Sequence, residues 1–176
     1  GKAFPEGGYT SYADLLLNAG KRYGVNPFIL ASKLINEHGS DGDSGSVSGK
    51  VEGYEGYYNY FNIGAYAHSG RSAIENGLIY AKEHGWDSRE KSIMAGTEFF
   101  AKDYIRSNKT TAYFQKFNVM NGASAVARGQ YMTALWGANS TGVTLGKGYV
   151  SAYSSALTFE IPVYLSMPTL PAPYPR

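Results

Sequence analysis

Glu37 is the residue of this 176-residue chain whose type and place best suit acid chemistry. It follows Leu30 by seven residues and Leu34 by three, which puts it at the edge of an apolar helical stripe rather than on the wet face. It also falls in the last turn before Gly39, where unsatisfied carbonyls disfavour a negative charge. Partial burial and the helix end both favour the neutral form of a carboxyl there. A carboxylic acid that keeps its proton near neutral pH is what protonates a leaving oxygen when a glycosidic bond is cut. An ordinary helical Glu is solvated, so position alone is a hint.

Glycoside cleavage usually takes a second group, and Glu52 and Glu55 are the candidates, each able to activate water from across a sugar. The commoner role for both is that of exposed hairpin charges. Asp41 and Asp43, in Asp-Gly-Asp-Ser-Gly, read mainly as turn chemistry. The run resembles a calcium loop but lacks its central glycine and its closing bidentate Glu. His38, His68 and His84 stand at no metal-ligand spacing and there is no Cys, so no metal or other cofactor is expected. His38 falls within the apolar stripe and reads as a hydrogen-bonded core histidine. Neither a Gly-x-Ser-x-Gly elbow nor a phosphate loop is present.

Several elements must position these groups. Tyr12, Leu15, Leu16, Ala19 and Tyr23 stand at helical spacing, and Gly24 closes that helix. Asn26 as N-cap and Pro27 at the first position start a second helix, with Phe28, Leu30, Ala31, Leu34 and Ile35 as its stripe. From 40 to 60 the character changes to Ser, Gly and Asp, then to short Val/Tyr pieces broken by Gly49, Gly53 and Gly56. This predicts a small β-hairpin flap, followed by a tight turn over Asn59 to Tyr66. Helix is predicted again from Ala73 to His84 and, behind an Asp87/Glu90 capping box, to about Arg106. Shorter helices are expected at Thr111 to Phe117, Val126 to Leu135 and Tyr149 to Tyr164, limited by Pro162. The fold class is therefore α+β, predominantly helical, in one domain over 1–176 with a Pro-rich tail at 168–176.

Composition narrows the function classes. Hydrophobic residues are 43% and charged ones 17%, which excludes a disordered chain. A net charge of +2 gives no argument for nucleic acid. No run suits a membrane span, and Gly1 to Pro5 has no signal-peptide pattern. Sixteen Tyr fit a carbohydrate cleft, where ring faces stack on sugars, although half-buried packing is the commoner use of any single Tyr.

With Ile35 to Gly39 (INEHG) and Asn59 to Tyr66 (NYFNIGAY) in view, the chain resembles the glucosaminidases of glycoside hydrolase family 73. The likeness runs through GYEGYYNYFNIGAYAHSGRSAIENGLIYAKEHGWDSREKSI, FFAKDYI and YFQKFNV, and is greatest to clostridial and related Gram-positive autolysins. It implies a lysozyme-like two-lobed fold around a sugar groove and cleavage of the β-1,4 bond after N-acetylglucosamine in peptidoglycan. It implies a secreted enzyme of the bacterial cell wall, a monomer acting on glycan strands without cofactor, nucleic acid or membrane span. Glu37 inherits the role of general acid. Asn59, Phe61, Asn62, Ile63 and Ala65 match the motif that lines the groove floor, Tyr66 its functionally important aromatic neighbour, and Tyr131 another groove position. The usual motif has Gly where Asn62 stands, and 128–148 fits the family less well in its second half. For the second group two mechanisms stay open: Glu52 or Glu55 as base, or attack by the substrate's own acetamido oxygen steadied by Tyr66, towards which the reading leans. The alternatives are a muramidase or lytic transglycosylase on the same fold, and a non-catalytic wall-binding module.

Overall fold

A computed structural model of the chain describes residues 2–126, 128–131, 136–150 and 158–170. Helix α1 spans Tyr12–Tyr23, where the Ser11 side chain accepts from the Asp14 amide and Gly24 ends it in the left-handed region. Helix α2 spans Pro27–His38. Asn26 Oδ1 accepts from the Phe28 amide at 2.9 Å, a cap of about 1 kcal/mol, and Gly39 follows the last turn. Both helices span the predicted residues, ending at Gly24 and Gly39, and α2 begins behind its predicted cap Asn26.

A one-turn helix, α3 (Gly45–Ser48), comes next, and α4 covers Ala73–Glu83. The capping box is at the start of α4, between Ser72 and Glu75, and not at Asp87. Helix α5 (Arg89–Phe100) is capped one residue later than predicted, by Ser88, whose hydroxyl accepts from the Lys91 amide at 3.1 Å. Asp87 instead pairs with the Lys91 ammonium at 2.7 Å. A π turn, Ala101–Ile105, carries α5 almost to the expected Arg106. Then come α6 (Ala112–Phe117), two short 3-10 turns, and α7 (Gly137–Tyr149).

The α+β expectation is corrected here. Among the described residues there is no strand and no sheet, only isolated bridges at Ala3/Ser11 and His68/Arg71, so the β-hairpin flap does not form. Residues 49–57 instead coil back on themselves, with the Tyr54 amide donating to Val51 O and the Gly56 amide to Gly49 O. The reason is conformational. Gly53 and Gly56 take φ of 79° and 77°, which turns the chain where a strand would run on. The fold is mostly helical.

The end of the chain also departs from the reading. Helix α7 occupies a stretch with no predicted helix, because four glycines hide it from propensity. The expected helix from Val126 to Leu135 is absent over its described part, and 132–135 lie outside the described residues. In the Tyr149 to Tyr164 helix, 151–157 lie outside them and 158–164 are not helical. Of the Pro-rich tail, 171–176 lie outside them.

Leu15, Leu16, Ala19, Leu30, Tyr58, Tyr60, Phe61, Ile93 and Phe100 are buried together where α1, α2 and α5 meet. Leu15, Leu30 and Ile93 are fully buried, each contributing about 2 kcal/mol through area removed from water. The end of α2 and the loop 59–66 lie on this core, and the candidate site is built from both.

Candidate active site

Glu37 owes its placement to neighbours on either side of it in α2. One residue earlier, the Asn36 amide is held at both ends by α7: Nδ2 donates to Thr141 Oγ1 at 3.1 Å, and Thr144 Oγ1 donates to Oδ1 at 3.0 Å. One residue later, His38 is buried between Ser44 Oγ (2.6 Å from Nδ1) and the Tyr60 carbonyl (2.8 Å from Nε2). The carbonyl has no proton, so Nε2 donates to it and Nδ1 accepts from Ser44 in the neutral ring. Burial lowers the His38 pKa and keeps the ring neutral.

The loop 59–66 is fixed just as firmly. Asn59 is fully buried and its amide is spent on backbone: Oδ1 accepts from the Ile63 amide at 3.0 Å, and Nδ2 donates to Ile63 O and Gly77 O, both at 2.8 Å. The Asn59 amide N–H reaches Ser46 O at 2.7 Å, and the Tyr60 N–H reaches Ser92 Oγ at 3.0 Å. The loop is thereby tied to α2, α3, α4 and α5 at once. Phe61 is buried against Gly96 of α5, Ile63 is half-buried against the core, and Ala65 packs on Gly77 of α4. A Cβ on Gly77 would come within 2.9 Å of Ala65 Cβ, so α4 needs glycine there.

Two donors converge on Glu37, which is half-buried. Asn62 Nδ2 donates to Oε2 at 3.0 Å, and Tyr131 Oη donates to Oε1 at 3.2 Å. Tyr131 is wedged among Phe100, Tyr104 and Lys33, whose Nζ sits 3.5 Å from the Tyr131 ring centre. Burial first, and then the Glu37 charge and hydrogen bond, raise the Tyr131 hydroxyl pKa well above the ordinary tyrosine value. Burial pushes the Lys33 ammonium down to about 8, against the opposing pull of Glu37. Sequence reasoning missed Lys33 and Asn36. A lysine four residues before Glu37 and three after Leu30, hence on one face with both, was the available signal for the first.

The other predicted residues lie at varying remove from this cluster. Tyr66 is 65% exposed and stacks on His68 with ring centres 4.8 Å apart, its carbonyl held by Asn76 Nδ2 at 2.9 Å. Glu52 and Glu55 are exposed on the coil 49–57 and hydrogen-bond to none of Glu37, Asn62, Tyr66 or Tyr131. A cavity of about 590 Å³ opens elsewhere, between α6 and 160–164, and none of the predicted site residues lines it. Among the described residues, no three His, Asp or Glu gather as a metal site, and no helix is long and apolar enough to cross a membrane.

What the cluster can do is hold one carboxyl in a fixed orientation with a donor on each oxygen. That suits transfer of a proton to or from a group placed against it.

No protein-family profile matches the chain. It is 32% identical over 153 residues to the bifunctional autolysin of Staphylococcus epidermidis, an alignment covering 83% of this chain and 11% of that protein. The chain thus spans about a tenth of the relative's length. Among solved structures, S. aureus autolysin E superposes with a TM-score of 0.64 at 29% identity, over 79% of this chain and 59% of that one. That structure is a catalytic mutant, glutamate to alanine, in complex with the disaccharide NAG-NAM. S. aureus glucosaminidase B aligns at 31% identity and a TM-score of 0.56, over 77% of this chain and 52% of that one.

Proposed function

The chain is a relative of the bacterial autolysins and glucosaminidases, and from that kinship we propose that it is a glycoside hydrolase of family 73. In this reading it cuts peptidoglycan at the β-1,4 bond between N-acetylglucosamine and N-acetylmuramic acid, outside the cell, at the wall. The observation that carries it is the Glu37 carboxyl, set at the end of α2 with Asn62 and Tyr131 on its two oxygens. In the autolysin E complex it is likewise a glutamate whose loss makes a catalytic mutant.

Protonated Glu37 gives its proton to the bridging oxygen as the bond from that oxygen to C1 breaks, so the leaving sugar departs as an alcohol. The electron deficiency at C1 is met by a second group. We favour the substrate's own 2-acetamido oxygen, which closes a ring onto C1 that water then opens. Tyr66 would steady it, and its exposed ring on the loop next to Asn62 supports that role. Glu37, now ionised, takes the proton from the incoming water, which restores the acid. The competing reading gives water activation to Glu52 or Glu55 and inverts the configuration at C1. Asn62, Ile63, Ala65 and Tyr131 would face the sugar from the loop and from beside the acid, with Asn59 and Phe61 supporting them from inside.

The test is digestion of purified peptidoglycan by wild type and Glu37→Gln, with new reducing ends identified by mass spectrometry after borohydride reduction. Reduced N-acetylglucosamine ends from wild type alone support both bond and acid. Muramic or anhydromuramic ends would overturn the specificity, and a fully active Glu37→Gln would overturn the acid.

A further inference from the structure

The Asn62 side chain is costly where it stands. Its φ of 49° lies in the left-handed region, which glycine adopts freely and other residues adopt at a cost that is small for Asn, as at Asn108 and Asn118. Its Oδ1 is buried with no hydrogen-bond partner among the described residues, a second cost. Glycine at this position would remove both. Against them stands, among the described residues, one side-chain polar contact, from Nδ2 to Glu37 Oε2 at 3.0 Å. Local costs that the surroundings over-determine gather where function needs them.

We propose that Asn62 is a positioning residue for the acid: its amide keeps Glu37 Oε2 as a pure acceptor, so the transferable proton is carried on Oε1, beside Tyr131. The inference rests on the assignment of Glu37 as acid. An amide N–H only donates, and a carbonyl oxygen accepts better than the hydroxyl oxygen of a carboxyl, so the oxygen facing Nδ2 is the one that prefers to stay unprotonated. A phenol hydroxyl donates or accepts, so Tyr131 Oη, 3.2 Å from Oε1, tolerates a carboxylate or a carboxylic acid there. Burial holds that hydroxyl neutral, which keeps both roles open. The turned amide, with Oδ1 toward Glu37, would repel the carboxylate and leave Nδ2 as the buried orphan. Buried N–H groups without an acceptor are rarer than carbonyls without a donor. Among the described residues, the other titratable groups around Glu37 are Lys33 and His38 on its own helix and Tyr131, with Tyr104 packed behind it. All are common to the variants compared below.

The experiment measures peptidoglycan hydrolysis against pH for wild type, Asn62→Gly, Asn62→Asp and Glu37→Gln, with melting temperature as a check on folding. Asn62→Gly is expected to melt at or above the wild-type temperature. Its maximal rate should fall about tenfold, with the half-saturating substrate concentration little changed. The alkaline limb of its profile should move to higher pH, because the Glu37 carboxylate has lost a donor. Asn62→Asp keeps the shape and puts a like charge beside Glu37, so its limb should move further in the same direction. A rise in half-saturating concentration alone would overturn the proposal and leave Asn62 as a sugar contact only. A lower rate with an unmoved limb would reduce it to a structural role, and an unchanged rate and limb would remove it. An active Glu37→Gln would instead sink the underlying acid assignment, whatever the Asn62 variants do.

Discussion

Residues 49–57 and 59–66 are neighbours, each with two Tyr and both outside regular helix, the first carrying three Gly and the second one. The first closes on itself through the Gly56–Gly49 and Tyr54–Val51 backbone bonds, and its carboxylates Glu52 and Glu55 stand in solvent. The second spends its polar groups on α2, α3, α4 and α5, and turns Asn62 onto Glu37. The difference comes from what lies underneath. A fully buried Asn59 replaces the hydrogen bonds of a sheet or helix for the second loop, and the first has no such residue.

The contrast can be broken at Asn59. Asn59→Ala leaves Gly77 O and both Ile63 backbone groups without their side-chain partner in a buried place. We expect a loss of about 3 kcal/mol, read as a lower urea midpoint, with activity falling as Asn62 drifts. A loss under about 0.5 kcal/mol would mean that the loop is held by its apolar contacts instead.

Lys33 offers a pH test on the fixed side of the contrast. Burial puts its pKa at about 8, against 10.5 for a lysine in water. Between those values the unfolded chain binds the proton that the folded chain has shed, so stability should rise with pH across that window. The burden is fully present below the folded value and is relieved as pH climbs towards the unfolded one. Lys33→Met removes it, so the stability of wild type relative to this variant should improve by up to about 3 kcal/mol from about pH 8 to 10.5. Denaturant melts at both ends of the window check it, and a constant difference would contradict it.

The smallest effects belong to the coil 49–57. Glu52→Gln and Glu55→Gln should each change stability by less than about 0.5 kcal/mol, since both side chains are exposed. Their rates sharpen the comparison. If both variants keep more than about half the wild-type rate, the acetamido route stands. A loss on the order of 10²-fold or more in one of them would name that residue as the base.

Much of this arrangement was legible in the sequence, for identifiable reasons. Gly24, Asn26, Pro27 and Gly39 act locally through caps, so the end of α1 and the whole of α2, and with them the place of Glu37, could be read directly. The motif NYFNIGAY was visible as a unit. Its inside-outside order was not, because a buried Asn59 and an outward Tyr66 invert the usual polarity of those residues. The flap was misread because Val and Tyr suggest strands, while the positive φ at Gly53 and Gly56 decides otherwise. Helix α7 was missed because its helicity is a property of its contacts. Four of its 13 residues are Gly, and the stack of Phe28 on Tyr149 and the Asn36 hydrogen bonds supply what propensity does not.

The Asn36 clamp has a consequence for inheritance. Its amide meets an acceptor on Thr141 and a donor on Thr144, each more than a hundred residues away along the chain. A change at any one of the three strands a half-buried polar group beside the residue after Asn36, which is Glu37. Descendants of this sequence are therefore free to replace the three together, by an apolar set or a longer polar one, and are penalised for replacing them singly. Position 36 and the pair 141 and 144 should drift as one character.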